Sequence, residues 1–440
     1  MHAEPLSIET ARAPVLPLTR RFWVGVHRWA GLTIASFIAI AAITGSILPF
    51  EESLGFATRP DLSRVVAPRP GARPLDGVTI AEHVEGATGG QVLYVPLEVP
   101  GDRPLRMFVG PRPGQPPLGY DTLWIDPYSG AIRTAFTWGG LHDGAENIVP
   151  FLYQLHYGYV AGAWGMVVFG IAALVWTLDC FVGFGLTLPP RQRAARTAVR
   201  RSWWQRWTPA WKIRAGGGHK RSFDLHRASG LWLWPMLLVF AWSGVGLALP
   251  QVERPAMRLV GAAPAFVPPR RVVPLADPPI SRRRAIELGL RALRRQGARH
   301  GFTVEHPAML GYQPDSGLYQ LWARTSLDVV DAGGHSLLWL DASTGRPVRF
   351  EPPAGTTGAD AFMAWITWLH RAQVFGLAYR IFVSLLGFAV ATLTVTGVLI
   401  WARKRSARRS MRRRRGRSRS GRADLGKPVR AERVEARPAG

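Results

Sequence analysis

Residues 223–231 read FDLHRASGL and residues 26–32 read VHRWAGL, each at the mouth of a long apolar run. A histidine and an arginine stand side by side where a helix would enter hydrocarbon, and both runs then continue without another charge up to their far ends. The match holds at an offset of 199: Gly31 falls on Gly230, Leu32 on Leu231, and Thr44-Gly45 on Ser243-Gly244. The two runs are copies of one unit, and self-similarity of this kind fixes the organisation before any single element is assigned.

The copying extends outward. LWIDPYSGAIR at 123–133 resembles LWLDASTGRPVR at 338–349, placing Asp126 on Asp341. LHYGYVAG at 155–162 resembles LHRAQVFG at 369–376, at an offset of 214 that also places Gly183 on Gly397. Four segments, 22–50, 151–188, 225–249 and 362–401, are apolar over the roughly 20 residues that a bilayer crossing needs. The first is too long for the apolar core of a signal peptide and lacks a small-residue cleavage site, so it is expected to be retained.

The 440 residues combine 47% hydrophobic residues and 18 Trp with a formal charge of +26. That charge suggests nucleic acid until its position is considered. It gathers between Arg12 and Arg21, between Arg191 and Arg221, and in RKRSARRSMRRRRGRSRSGR at 403–422, always beside an apolar segment. This is the pattern of loops retained in the cytoplasm, and it argues against a nucleic-acid partner. Both termini and the central loop are then cytoplasmic, and the segments between spans face the other side, the periplasm in a bacterium.

The expected fold is an α-helical membrane protein, a four-transmembrane-helix bundle built from a tandem repeat, with two small α+β external domains. Its parts are a cytoplasmic segment 1–21, a span 22–50, an external domain 51–150, a span 151–188 and a basic loop 189–222. The second copy follows as a span 223–250, an external domain 251–361, a span 362–402 and a disordered basic tail 403–440. In the external domains, 78–87 and 281–298 have helical spacing, and short strand-like stretches follow each.

One cysteine, Cys180, rules out a disulfide framework, a cysteine-rich zinc site, an iron–sulfur cluster and covalent attachment of haem through C-x-x-C-H. There are 11 histidines, and the duplication sorts them. His27, His156, His226 and His370 each stand at a span entrance with a counterpart in the other copy; His2, His83, His142, His219, His300, His306 and His335 have none. Topology places His27 with His226 near the cytoplasmic interface and His156 with His370 near the external one. Neutral imidazole is an axial ligand of haem iron, and bundles hold cofactors between facing helices. Two bis-histidine sites, one on each side, would make a two-step electron path. Arg28, Arg227 and Arg371 follow three of these histidines and suit haem propionates or lipid headgroups; Tyr157 follows the fourth. The Trp residues, among them Trp203, Trp204, Trp207 and Trp211, read as an aromatic belt.

The HRWAGL opening, the Asp-x-x-(Thr/Ser)-Gly strand end and the paired-span layout resemble the PepSY-associated transmembrane protein family, the iron-regulated membrane proteins, over about 20–404. The resemblance implies two PepSY-like periplasmic domains, two non-covalent b-type haems held by His27, His156, His226 and His370, and reduction of periplasmic ferric-siderophore at the inner membrane. The electron would come from a cytoplasmic partner or a quinol, because no G-x-G-x-x-G nucleotide motif is present on the cytoplasmic side. No residue set in 51–150 or 250–361 reads as a chelate pocket, although arginines and aromatics there suit an anionic ligand. PepSY domains also resemble modules that bind or inhibit peptidases, so a membrane-held binding module or an accessory subunit of iron uptake is the alternative.

Overall fold

The computed structural model describes residues 19–59, 64–144, 147–190, 201–214 and 217–424. Three long helices are apolar enough to cross a membrane: α1 (Arg20–Gly45), α5 (Gly162–Thr187) and α12 (Gly376–Asp424). Most of their apolar side chains are not covered by protein, and Trp29, Trp164, Leu178 and Leu385 are among the exposed ones. A helix that is apolar all round and uncovered fits a lipid surround.

The remaining apolar run is a bent pair, α7 (Gly218–Trp232) and α8 (Trp234–Ala248), which meet at 71°. Pro235 lies at the start of α8, where its ring and missing N–H break the helical ladder. Ser36 occupies the corresponding place in α1, which runs through unbroken. Helix α1 packs on α5 and α12, α5 packs on α8, and α12 packs on α7, which closes the ring of helices.

Two expected spans begin later than their apolar composition suggests. In the run 151–188, a short helix α4 (Ile148–His156) ends in a turn at 157–161 before α5 starts. In the run 362–401, α11 (Gly358–His370) ends in a turn that carries Ala372 and Phe375 at positive φ before α12. His156 and His370 are therefore the last residues of short helices and not the first residues of spans. The tail expected to be disordered continues α12 as helix through Asp424; its residues 425–440, like 1–18 and 191–200 of the other basic segments, lie outside the described residues. The loop tryptophans pack in succession, Trp203 tilted against Trp207, Trp207 edge to face with Trp211, and Trp211 edge to face with Trp232 of α7, at 5.0, 5.1 and 5.1 Å. Trp207 is buried in this cluster, whereas Trp204 is exposed as a belt residue would be.

Outside the spans, α1 leads through a 3-10 turn into α2 (Glu51–Thr58), then α3 (Gly77–Thr88), with β1 (Gln91–Val92), β2 (Tyr94–Pro96), β3 (Leu105–Gly110), β4 (Thr122–Ile125) and β5 (Ile132–Phe136) following. The short helix α6 (Trp203–Trp207) belongs to the central loop. The second copy contributes α9 (Pro250–Leu259), α10 (Arg282–His300), β6 (Val304–Gln313), β7 (Leu318–Thr325), β8 (Ser336–Asp341) and β9 (Pro347–Glu351). Helices α3 and α10 have side-chain caps, Asp76 and Ser281, and both end at a left-handed glycine, Gly89 and Gly301.

The two external segments do not form the separate domains expected from the sequence. The sheets, both antiparallel, run β1-β3-β4-β5 and β2-β6-β7-β8-β9, so β2 leaves its own copy to pair with β6 of the other, Val95 opposite Leu310. Val84, Met107, Leu123 and Ile125 of the first copy share one core with Leu293, Leu310, Leu321 and Leu338 of the second. Helix α3 is tied to α10 by the two-pronged pair of Arg282 with Glu85, at 2.8 and 2.6 Å. A single apolar core is larger, and loses less to surface, than two halves would be.

The repeated Asp-x-x-(Thr/Ser)-Gly motif is turn chemistry. Asp126 accepts the amides of Tyr128 and Ser129, Asp341 accepts those of Ser343 and Thr344, and the following Gly130 and Gly345 adopt φ of 73° and 71°. At Gly345 a Cβ would also stand 2.4 Å from Leu288 Cδ1. Gly345→Ala is expected to cost about 1–3 kcal/mol and to lower the Tm of the detergent-solubilised chain.

Asp76 caps α3, accepting from Val78 and Thr79, and also meets Arg283 of α10 at 3.0 Å. Partial burial raises its carboxyl pKa, but the Thr79 hydroxyl and amide and the Arg283 guanidinium outweigh that and hold it at about 2. A depressed carboxyl contributes stability that is present above the ordinary value of 3.8 and is lost as pH falls through about 2. Asp76→Ala is therefore expected to melt below the native chain at neutral pH, with the difference closing as the pH is lowered from 4 to 2.

Candidate functional site

The four span-entrance histidines meet in two pairs. The rings of His27 on α1 and His226 on α7 have centroids 6.1 Å apart, and so do those of His156 on α4 and His370 on α11. Each pair takes one histidine from each copy. Ring nitrogens bound to one ion at about 2 Å each would hold two centroids at roughly this separation. The seventeen residues from His27 to Thr44, which touches His156, rise about 25 Å along α1, most of the thickness of a hydrocarbon core.

Every ring is held from behind through Nδ1. His27 Nδ1 lies 2.9 Å from Asp179 Oδ1 of α5. His226 Nδ1 lies 3.0 Å from the Leu393 carbonyl of α12 and 3.4 Å from Thr396 Oγ1. On the side nearer the sheets, His156 Nδ1 lies 2.9 Å from the Ala41 carbonyl and 3.1 Å from Thr44 Oγ1, and His370 Nδ1 lies 2.6 Å from Ser243 Oγ. Bonding at Nδ1 fixes ring orientation and leaves Nε2 free to ligate, the arrangement metal-bound histidines commonly have. The conserved hydroxyl of the repeat, Thr44 in one copy and Ser243 in the other, is thus a histidine partner.

Glycines make room for these rings. A Cβ at Gly183 would stand 3.3 Å from His27 Cε1, one at Gly397 3.1 Å from His226 Cε1, and one at Gly45 2.8 Å from His156 Cε1. Gly183 and Gly397 lie 27 residues after the histidine of their own apolar run, beyond the turns that end α4 and α11, and serve the other pair. Gly244 packs against Ala173 instead, and Gly31 has open space beside it. Two ring nitrogens per site, with glycine backing and orienting bonds, suit a ligand set completed by a macrocycle. Among the described residues no group of three or more His, Cys, Asp or Glu gathers to hold a bare metal ion.

The arginines diverge. Arg227 is committed to Asp224 at 3.0 Å and to the Pro209 carbonyl at 2.8 Å, and it lies over Phe223. Arg28 and Arg371 make no ion pair among the described residues. Asp179 lies outside the pattern of repeated histidines, although it is the one charged residue in α5 and an acid inside a span is a functional candidate by default.

A cavity of about 350 Å³ opens between α2, the first sheet and α4, with Glu51, Phe56, Arg106, Trp124 and Trp138 in its wall. Arg106 pairs with Glu51 at 3.0 Å and lies 4.7 Å from the Trp138 ring centroid. From there Trp138 meets Tyr153 at 6.4 Å, and Tyr153 is on α4 three residues before His156.

No curated protein matches the chain. The PepSY-associated TM region family matches residues 24–404, a stretch that takes in all four paired histidines, both sheets and every apolar run, and the chain belongs to that family of membrane proteins.

Proposed function

We propose that this protein holds two non-covalent b-type haems, one between His27 and His226 and one between His156 and His370, and carries electrons across a bacterial inner membrane to reduce a periplasmic ferric-siderophore for iron acquisition. The reading is carried by one observation: two imidazole pairs, at opposite ends of α1, with every Nδ1 already bonded and glycine beside three of the rings. Four crossings, counting the bent α7–α8 pair as one, would put both chain ends and the tryptophan loop on the basic, cytoplasmic side and the sheets in the periplasm.

Haem, when bound, would supply one-electron transfer through iron. The protein's own groups do the rest. His27, His226, His156 and His370 would ligate through Nε2, while Asp179, Thr44, Ser243 and the Leu393 carbonyl fix the ring planes. Gly45, Gly183 and Gly397 keep side chains from displacing them, and Arg28 and Arg371 are available to propionates. The cavity beside Arg106 and Trp138 is the suitable place for the iron chelate, which is the substrate. The electron donor would be a quinol or a cytoplasmic partner, and the lipid bilayer is the remaining partner.

The detergent-purified chain, oxidised and dithionite-reduced, is expected to give low-spin b-type spectra and a pyridine haemochrome count of two per chain, and His370→Ala a count of one. A colourless protein from haem-replete cells would sink this reading in favour of a peptide-binding role for the sheets. Gly45→Leu, which drives a side chain into the His156 ring, is expected to lose the same haem as His370→Ala while sparing the other.

A further inference from the structure

The duplication builds a comparison into the molecule. Three of the four Nδ1 atoms face neutral oxygens, the Ala41 and Leu393 carbonyls and the Ser243 hydroxyl. Only His27 faces a carboxylate, Asp179, at 2.9 Å, and the Asp179 side chain is 9% exposed. At the repeat offset of 214 Asp179 aligns with Leu393, whose carbonyl serves His226, so one copy supplies a charge where the other supplies a backbone dipole. Asp179 has no Arg or Lys within ion-pair distance among the described residues. Asp224, the other buried acid at this end, is shared by two cations, Arg214 at 2.8 Å and Arg227 at 3.0 Å. Arg28 beside one pair and Arg371 beside the other are free of ion pairs among the described residues, so what sets the His27 site apart is a carboxylate in direct contact with a ring nitrogen and not the net charge of its surroundings.

We propose, resting on the dihaem reading, that Asp179 is a positioning and tuning residue that sets the reduction potential of the His27–His226 site below that of the His156–His370 site, giving electron flow its direction toward the sheets. A carboxylate accepting the Nδ1 hydrogen makes the imidazole a stronger donor, and its charge in a low-dielectric span favours ferric over ferrous iron. With both sites loaded, the exchange would be one electron passed from the site held by His27 and His226, which would be oxidised, to the site held by His156 and His370, which would be reduced, with no bond or proton moved.

The test is an anaerobic redox titration of the haem-loaded chain followed by absorbance, in native, Asp179→Asn and Asp179→Glu forms. The native protein should titrate in two components. Asp179→Asn should move the lower one upward and leave the higher one in place, and Asp179→Glu should restore the native curve. Two haems whose titration is unchanged by Asp179→Asn, or a shift confined to the higher component, would overturn the inference while leaving the dihaem reading intact. If Asp179→Asn cannot hold its haem, His370→Ala decides: the remaining haem must titrate as the lower native component, and titration as the higher one overturns the inference. Absence of haem from the native chain overturns both.

Discussion

An imidazole buried among helices needs a partner for its ring N–H, and a ring held at Nδ1 can offer only Nε2 to whatever lies on its other side. That constraint, applied four times, arranges the spans. Each histidine leans on a helix of its own copy: His27 on α5, His156 on α1, His226 on α12 and His370 on α8. Each then turns its ring toward a histidine of the other copy. Neither copy can complete a pair alone, so the two copies have to assemble around the pairs. The glycines at 45, 183 and 397 are the steric counterpart of the same demand, since even a methyl group there would crowd a ring.

The extramembrane body repeats this logic with different forces. There the copies are joined by a strand that crosses over, by one continuous apolar core and by the Arg282–Glu85 pair. A fused body holds α4 and α11, which carry His156 and His370, at a fixed distance from each other, whereas two independent domains would leave that distance to the linkers. Rigid placement of side chains is what a site with little tolerance for displacement requires.

Duplication with divergence also explains where the copies differ. Pro235 breaks the third apolar run where Ser36 leaves the first intact, and Asp179 puts a carboxylate where Leu393 puts a carbonyl. Both changes keep the imidazole in place. What they alter is the shape of one span and the electrostatics of one pair.

The sequence by itself determined the repeat, the apolar runs, the two helices and most strands of the extramembrane body, the Asp-and-glycine turns, and which histidine belongs with which. All of these are local patterns or patterns copied at fixed spacing. Only the tertiary structure decided that His156 and His370 end short helices, because a turn inside an apolar run has no compositional mark beyond a glycine. It also decided that β2 crosses to the other copy, since pairing partners are chosen by register and burial and not by proximity in the chain. The repeat marks Gly45, Gly183 and Gly397, and Asp179 stands out as an acid inside a span, but which ring each of them serves, like the cavity beside Arg106, was not legible for the same reason. Each acquires its role from a residue more than 50 positions away, such as Glu51 for Arg106 and His27 for Asp179, and spacing alone carries no information about which distant side chains will meet.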